Sequence, residues 1–163
     1  MAKVSLLEYR ALAAFRYEIR KFLAFSERAA RHVGIEPQQH QLLLAVQGLP
    51  AGVRATIGAV AERLCIKHHT AVALVDKLEA LALIERQRSE QDRREVLLRL
   101  TGHGSLMLRR LSELHREQLR NVGPGMVSAL SAILGQLEAG EAPRRAALDT
   151  SPDDAHELSD ASQ

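Results

Sequence analysis

The sequence predicts a mainly α-helical protein with one small β-hairpin. Apolar residues recur at spacings of three and four through most of the chain, and one short stretch changes to the alternating period of strands. Glycines and prolines separate these segments. The chain has 163 residues, of which 46% are apolar and 3% aromatic. That composition is sufficient for one buried core with additional arms.

Composition also excludes several classes of protein. No apolar run reaches the roughly 18 residues that span a bilayer, and the N-terminus carries charge where a signal peptide would be apolar. The single cysteine, Cys65, excludes an internal disulfide framework. We therefore expect a soluble cytoplasmic protein that does not engage a membrane.

A long first helix is predicted over about residues 5–32. Leu12, Phe15, Ile19 and Phe22 recur on one face of it, and Gly34 can end it. At 1.5 Å per residue such a helix is about 40 Å long, too long to be buried within one small subunit. The pattern favours a dimerisation arm or a strut between domains.

Three shorter helices are predicted next. Pro37 suits the first turn of a helix over about 36–47, and Thr56 suits the N-cap of a short one. After a break near Cys65, a further helix is predicted over about 67–81. Its inward positions are expected to be Ala71, Val72, Val75 and Leu78.

Two strands follow, over 83–86 and 96–100, with the polar stretch 87–95 as a projecting hairpin tip. Thr101 can cap a helix over about 102–121, and Pro124 can start a last helix over about 124–138. The last helix carries an apolar stripe that needs a partner surface. Its members are Met126, Leu130, Ile133 and Leu137.

The order of elements in 55–100 (short helix, tight turn, second helix, charged hairpin) is that of a winged helix-turn-helix. The predicted domains are therefore a winged helix-turn-helix DNA-binding lobe at 36–101 and a helical dimerisation layer from 1–35 and 102–139. A flexible acidic tail is expected over 140–163. The tail carries a net charge of −4 and the rest of the chain +6. A basic body suggests a polyanionic partner, although the same charge could serve solubility alone.

Several short motifs, taken in order, resemble the MarR family of bacterial transcriptional regulators. They are Thr56-Ile-Gly-Ala-Val-Ala-Glu-Arg-Leu64, Thr70-Ala-Val72, Leu78-Glu79, Leu83-Ile-Glu-Arg86, Asp92-Arg93-Arg94, and Val96, Leu98, Leu100-Thr101 and Gly104. The resemblance covers about residues 5–139. It implies a homodimer that reads a pseudopalindromic site in double-stranded DNA, often with a small-molecule pocket. Ala82 departs from the family pattern, which has glycine where the recognition helix ends, so either left-handed strain or a different exit is expected.

In such a lobe, the N-terminal turns of the second helix read base edges in the major groove. The predicted contacts there are Lys67, His68, His69 and Thr70, with Lys77 further along. The alternative is that the histidines are simply surface residues. Residues 62–95 hold seven basic and seven acidic side chains, so DNA binding must depend on how charge is segregated between faces.

The hairpin tip supplies a second set of predicted DNA contacts. Arg93 and Arg94 are the favoured pair, because an arginine at a wing tip can enter a narrow minor groove. Arg86 and Arg88 are further candidates, of which Arg86 is expected to be partly structural. Asp92 is expected to orient the wing by pairing with Arg86 or Arg94.

The function that these observations favour is a homodimeric repressor, released from its operator by a small-molecule effector. Candidate pocket residues are Phe15, Arg16, Tyr17, Arg20 and Phe22, each of which could equally serve core or dimer packing. An activator is also compatible with the sequence, because the sign of regulation depends on where the operator lies.

Other functions carry less support. A redox sensor would use Cys65, although a lone cysteine at a helix junction is more often a small buried hydrophobe. A metal sensor would need clustered ligands, and the seven histidines show no paired spacing. No catalytic motif is present, so neither an enzyme nor a cofactor is predicted. A winged helix that docks a protein instead of DNA is the remaining alternative.

Overall fold

The computed structural model describes residues 4–89 and 95–148, with side chains as far as residue 136. Over these residues it confirms the predicted fold class, a mainly helical protein with one two-stranded antiparallel sheet. The elements are α1 (Leu6–His32), α2 (Pro37–Gln47), α3 (Ile57–Arg63), α4 (His68–Ala80), β1 (Ile84–Arg88), β2 (Val96–Leu100) and α5 (Gly102–Leu148).

The chain divides into two compact units, one formed by residues 20–122 and the other by the two ends of the chain, up to residue 19 and from residue 123. The unit 20–122 encloses a continuous apolar core to which all of its helices and both strands contribute. Its largest fully buried side chains are Leu42, Leu43, Val60, Val75, Leu78, Leu83, Ile84, Leu98 and Leu111. Of the inward positions predicted on α4, Val72 is only half-buried, and Leu74 is buried in addition.

Three helices of this unit end in the same left-handed turn. Gly34, Cys65 and Ala82 have φ of 85°, 53° and 53°. After each, the next residue donates its N–H back to the last helical turn, as Leu83 does to the Leu78 carbonyl at 2.9 Å. Of the two outcomes expected at Ala82, left-handed strain or a different exit from the helix, the structure shows the strained left-handed conformation. The expectation that Cys65 is buried is wrong, because this turn points its side chain to solvent.

The hairpin is longer than predicted. β1 starts at Ile84 and continues to Arg88, so Gln87 and Arg88 belong to a strand and not to the tip. Arg88 pairs with Val96 in the register, and Ser89, predicted to project, is buried. The polar composition of this stretch misled the prediction, because backbone pairing with β2 does not require apolar side chains.

The start of α5 is fastened to the entry of the hairpin. Thr101 donates its hydroxyl to the Ala82 carbonyl at 2.7 Å and accepts the Gly104 N–H at 3.0 Å, as an N-cap. Gly104 lies so close to β1 that a Cβ built there would be 2.0 Å from the Leu83 carbonyl oxygen. Only glycine fits this approach.

The predicted break between two C-terminal helices is wrong. α5 runs from Gly102 through Pro124 to Leu148 without interruption. Proline disfavours a helix interior, but buried side chains on either side of it, Val122 and Ala129, hold the backbone helical. The helix also continues nine residues into the segment predicted as a tail. Residues 149–163 lie outside the described residues, so a flexible tail there stays a prediction.

The unit formed by the chain ends consists of the first part of α1 and the second part of α5. Within it, the Glu18 carboxylate lies beside Gly125, at 3.5 Å from the position of a Cβ. Many of its large apolar side chains are exposed in the single chain. They are Val4, Leu6, Leu7, Tyr9, Leu12, Tyr17, Val127, Leu130 and Leu134.

Candidate nucleic-acid interface

The N-terminus of α4 is set by the turn that follows α3. Thr56 caps α3 by accepting the Ala59 N–H at 3.2 Å, as predicted. At the other end, the Ile66 N–H reaches the Ala61 carbonyl at 3.0 Å, which closes the left-handed turn at Cys65. The chain therefore reverses within four residues and begins α4 at His68.

The first turn of α4 is exposed and carries no acidic side chain. Lys67, His68 and His69 are exposed and Thr70 is half-buried, while Ala71, Leu74, Val75 and Leu78 face the core. Lys67 occupies the N-cap position, where its side chain makes no capping hydrogen bond. The amides of this turn thus point outward beside basic side chains, an arrangement suited to phosphate. Lys77 is exposed three turns further on.

The wing is joined to the helix-turn-helix through its second strand. The Leu98 N–H donates to the Ala55 carbonyl at 2.7 Å, and Thr56 forms a β-bridge with Leu97. The segment before α3 therefore acts as a short third strand. Arg88 is exposed at the far end of β1. The predicted tip residues Asp92, Arg93 and Arg94 lie outside the described residues.

Arg86, predicted to contact DNA, is engaged by α4. Its Nη2 lies 2.5 Å from Asp76 Oδ1, and its Nη1 forms a second ion pair with Glu79. The hydrogen bond that Arg86 donates to Asp76, together with the charge of Glu79, raises the pKa of Arg86 above its usual value. Asp92 was expected to hold an arginine in this way. Among the described residues, the carboxylates that form ion pairs with Arg86 come from α4 instead. Sequence reasoning missed these pairs because the residues lie on different elements.

The sequence also gave no indication of a role for Arg54, which precedes α3. Its Nη1 lies 2.6 Å from Glu95 Oε2 and 3.5 Å from the hydroxyl of Ser89. Ser89 and Glu95 follow β1 and precede β2, and the Ser89 N–H donates to the Glu95 carbonyl at 3.0 Å. Arg54 thus contacts the hairpin just beyond the end of β1 and just before the start of β2.

The five predicted effector-pocket residues all lie on α1. Phe15 and Phe22 are half-buried, and Arg16, Tyr17 and Arg20 are exposed. Phe22 packs its ring edge-on against His115, with centroids 5.7 Å apart. The structure therefore engages Phe22 in packing within the unit 20–122, the alternative that the sequence left open.

His115 is half-buried and belongs to a group of contacting side chains that sequence reasoning did not find. Its Nδ1 lies 2.6 Å from the Leu111 carbonyl and its Nε2 lies 2.9 Å from the Ser26 hydroxyl. Because a carbonyl only accepts, Nδ1 carries the hydrogen and Nε2 accepts from Ser26 when the ring is neutral. The ring of His40 lies 4.8 Å away, the residue is 2% exposed, and its Nδ1 has no hydrogen-bond partner among the described residues. Burial, and secondarily the charge of His115, lowers the pKa of His40 to about 4.

The unit 20–122 also has open clefts. One of about 370 Å³ has Leu23, Ser26, Pro37 and Leu74 among its lining residues. Another of about 630 Å³ lies between the end of α1 and the first turns of α5, where Val33, Leu106 and Met107 are flanked by His32, His103 and Arg110. The predicted aromatic residues of α1 line neither of them.

Two further predictions concern metals and membranes. Within residues 4–89 and 95–148, no three His, Cys, Asp or Glu side chains come together as a metal site would require. No helix in that part of the chain combines the length and the apolar character needed to cross a bilayer.

The geometry defines a winged helix-turn-helix protein: a short helix, a sharp turn, an exposed second helix and a two-stranded wing. A family model described as "MarR family" matches residues 33–95, which contain α2, α3, the turn, α4 and β1 and end just before β2. The prediction from sequence is therefore confirmed, and the chain has the fold and the signature segment of the MarR family of transcriptional regulators.

Solved structures share the fold over most of the chain. AbsC, a MarR family transcriptional regulator from Streptomyces coelicolor, is 18% identical with a TM-score of 0.65, covering 93% of this chain and 100% of its own. A MarR family protein from Bacillus stearothermophilus is 20% identical with a TM-score of 0.65, covering 85% and 98%. FabT from Streptococcus pneumoniae, solved in complex with DNA, is 25% identical with a TM-score of 0.61, covering 86% and 99%. No curated protein is similar enough in sequence to be matched.

Proposed function

We propose that the protein is a cytoplasmic, non-enzymatic transcriptional regulator that binds double-stranded DNA as a homodimer. The observation that carries this proposal is the first turn of α4, where Lys67, His68 and His69 are exposed on a core-anchored helix and the turn itself contains no acidic residue. This turn enters the major groove, and the wing lies along the neighbouring phosphates. The similarity to FabT, solved in complex with DNA, supports this docking.

The proposed DNA contacts divide into two groups. Lys67, His68, His69 and Thr70 approach base edges and phosphates at the start of α4, with Lys77 further along the helix. Arg88 at the exposed end of β1 meets phosphate, and Arg93 and Arg94 reach the minor groove from the wing tip. Acidic side chains of the lobe are drawn away from DNA by pairing with Arg54 and Arg86.

A second copy of the chain covers the exposed apolar side chains of the unit formed by the chain ends. Leu6, Tyr17 and Val127 are each more than 60% exposed in the single chain. Large apolar side chains that are exposed in such number on two helices are typical of a surface that another protein covers. A symmetric dimer through these helices presents two α4 helices to half-sites of a pseudopalindrome, with centres about 34–36 Å apart.

The regulator acts as a repressor that a small molecule releases. A ligand that fits one spacing of the two lobes better than another shifts the population toward that spacing. The pocket wall is proposed to include Phe15, Tyr17 and Phe22, with Arg16 or Arg20 for an anionic group. Titrating candidate aromatic carboxylates into the protein–DNA complex, with Arg16→Ala and Arg20→Ala as variants, tests this step.

A salt series of DNA binding tests the main proposal. The probe is a duplex selected from a random pool by the wild-type protein, with a scrambled duplex of equal length as control. We expect the logarithm of the affinity to fall steeply with the logarithm of the salt concentration, and Arg93→Ala/Arg94→Ala to flatten the slope by about 2 because two phosphate-neutralising charges are lost.

Sedimentation of the same samples measures the dimer. Val127→Asp/Leu130→Asp is expected to give monomers that retain the unfolding transition of the unit 20–122. A dimer that binds no duplex even at low salt would contradict the proposal and favour a winged helix that docks a protein.

A further inference from the structure

The ion pairs of Arg86 join the wing to the recognition helix. Arg86 lies in the middle of β1, opposite Leu98 of β2. Its two terminal nitrogens go to different carboxylates one turn apart on α4, Asp76 at 2.5 Å and Glu79. A guanidinium has a rigid fork of donors, so two separate acceptors fix its position more strongly than one. Both ends of the fork are therefore used within the protein.

We infer that Arg86 is a positioning residue for DNA binding: it sets the angle of the wing against α4 and does not itself contact phosphate. The inference rests on the function proposed above. The Arg86 side chain is only 26% exposed, whereas Arg88, two positions along the same strand, is exposed and forms no ion pair among the described residues. Because strand side chains alternate, both arginines leave the same face of the sheet. One basic side chain thus orients the wing, and the next is available to DNA.

Neutralising the two carboxylates tests the inference, because positioning of the wing and simple charge repulsion predict opposite changes in DNA affinity. Removing acidic residues near DNA should tighten binding if only charge matters, because repulsion of phosphate is lost. Positioning predicts the opposite for Asp76→Asn/Glu79→Gln, which should weaken binding about tenfold, since wing contacts are worth about that much. Glu85→Gln, an exposed neighbour on β1, is the control and should leave binding equal or tighter.

Arg86→Gln is expected to weaken binding by a similar factor without lowering the salt slope, because no phosphate contact is lost. Arg88→Gln should lower the slope by about 0.9, the value for one phosphate. Combining Arg86→Gln with Asp76→Asn/Glu79→Gln should cost little more than either change alone, as expected of one shared interaction. Three results would each overturn the inference. They are additive losses of DNA affinity in the combined variant, a lower salt slope in Arg86→Gln, and tighter DNA binding by Asp76→Asn/Glu79→Gln.

Hydrogen exchange of the β2 amides gives a readout that does not require DNA. Arg86→Gln should accelerate exchange across Val96–Leu100, whereas Arg88→Gln should leave it unchanged, because of these two arginines it is Arg86 that forms ion pairs with α4. Unchanged exchange in both variants would contradict the positioning role. If the wild-type protein bound no duplex, the proposed function would fail on that result alone, and the exchange data would still decide whether Arg86 holds the wing.

Discussion

Histidines occupy two contrasting regions of the unit 20–122. At the start of α4, His68 and His69 are exposed to solvent, whereas a buried His40 and a half-buried His115 lie with ring centroids 4.8 Å apart where α1, α2 and α5 meet. His68 and His69 contribute little to the core and are free to meet a ligand. Burial lowers the pKa of His40 and so favours its neutral form, and within the part of the chain that the structure describes its Nδ1 has no hydrogen-bond partner. The comparison shows that packing, and not residue type, determines what a histidine does in this fold.

The strongest test of the interior region is Gly104→Ala. The added Cβ would meet the Leu83 carbonyl oxygen at 2.0 Å, so either α5 or the hairpin must shift. We expect a loss of about 3 kcal/mol in the free energy of unfolding, the upper end for overpacking, measured by denaturant titration. Gly102→Ala, which meets nothing within 4 Å, is the control and should change stability by less than about 0.5 kcal/mol. Equal effects of the two changes would show that the close approach is not rigid.

The next largest effect concerns pH and His40. Its pKa is lowered from 6.5 to about 4 on folding, so the unfolded chain binds more protons between these values. Stability from this group is therefore complete above about pH 6.5 and falls as the pH drops toward 4. The expected loss between pH 7 and pH 5 is about 2 kcal/mol.

Denaturant titrations at several pH values measure this loss. His40→Gln should flatten the difference between pH 7 and pH 5, while His68→Ala, an exposed histidine, should leave the profile of the wild type. A profile that is the same in wild type and His40→Gln would show that His40 is not the group responsible.

A smaller, stabilising effect is expected at the exit of α4. Ala82 adopts φ of +53°, a region that costs a residue with a Cβ about 1–2 kcal/mol. Ala82→Gly relieves this strain but increases the entropy of the unfolded chain, so we expect a net gain of about 0.5 kcal/mol. The midpoint of thermal unfolding measures it. Ala80→Gly, within the last turn of α4, is the matched control and should instead destabilise by about 0.5–1 kcal/mol.

The smallest effect on stability is expected at the exposed region itself. His68→Ala/His69→Ala should change the free energy of unfolding by less than about 0.5 kcal/mol, because neither side chain is buried. The same variant should weaken binding to the selected duplex by about tenfold, while its affinity for a scrambled duplex stays similar. Unchanged discrimination between the two duplexes would remove these histidines from the proposed interface.

Much of the local structure could be predicted from sequence because it depends on local rules. The cap at Thr56, the stop at Gly34 and the length of α1 follow from capping, backbone freedom and apolar period. The same rules failed at Pro124, where packing on both sides overrides a local preference. They also failed for Gln87 and Arg88, because strand pairing is a property of two segments together.

The sequence by itself determined the order of elements from α1 to β2, the winged helix-turn-helix and the exposed basic turn of α4. These depend on residues within a few positions of each other, where the physics is that of one turn or one helix face. Only the tertiary structure determined that Arg86 faces Asp76 and Glu79, that Arg54 reaches Glu95, and that the ring of His40 lies 4.8 Å from that of His115. Pairs such as Arg54–Glu95 and His40–His115 join residues far apart in the chain, and burial and ion pairing depend on distance in space.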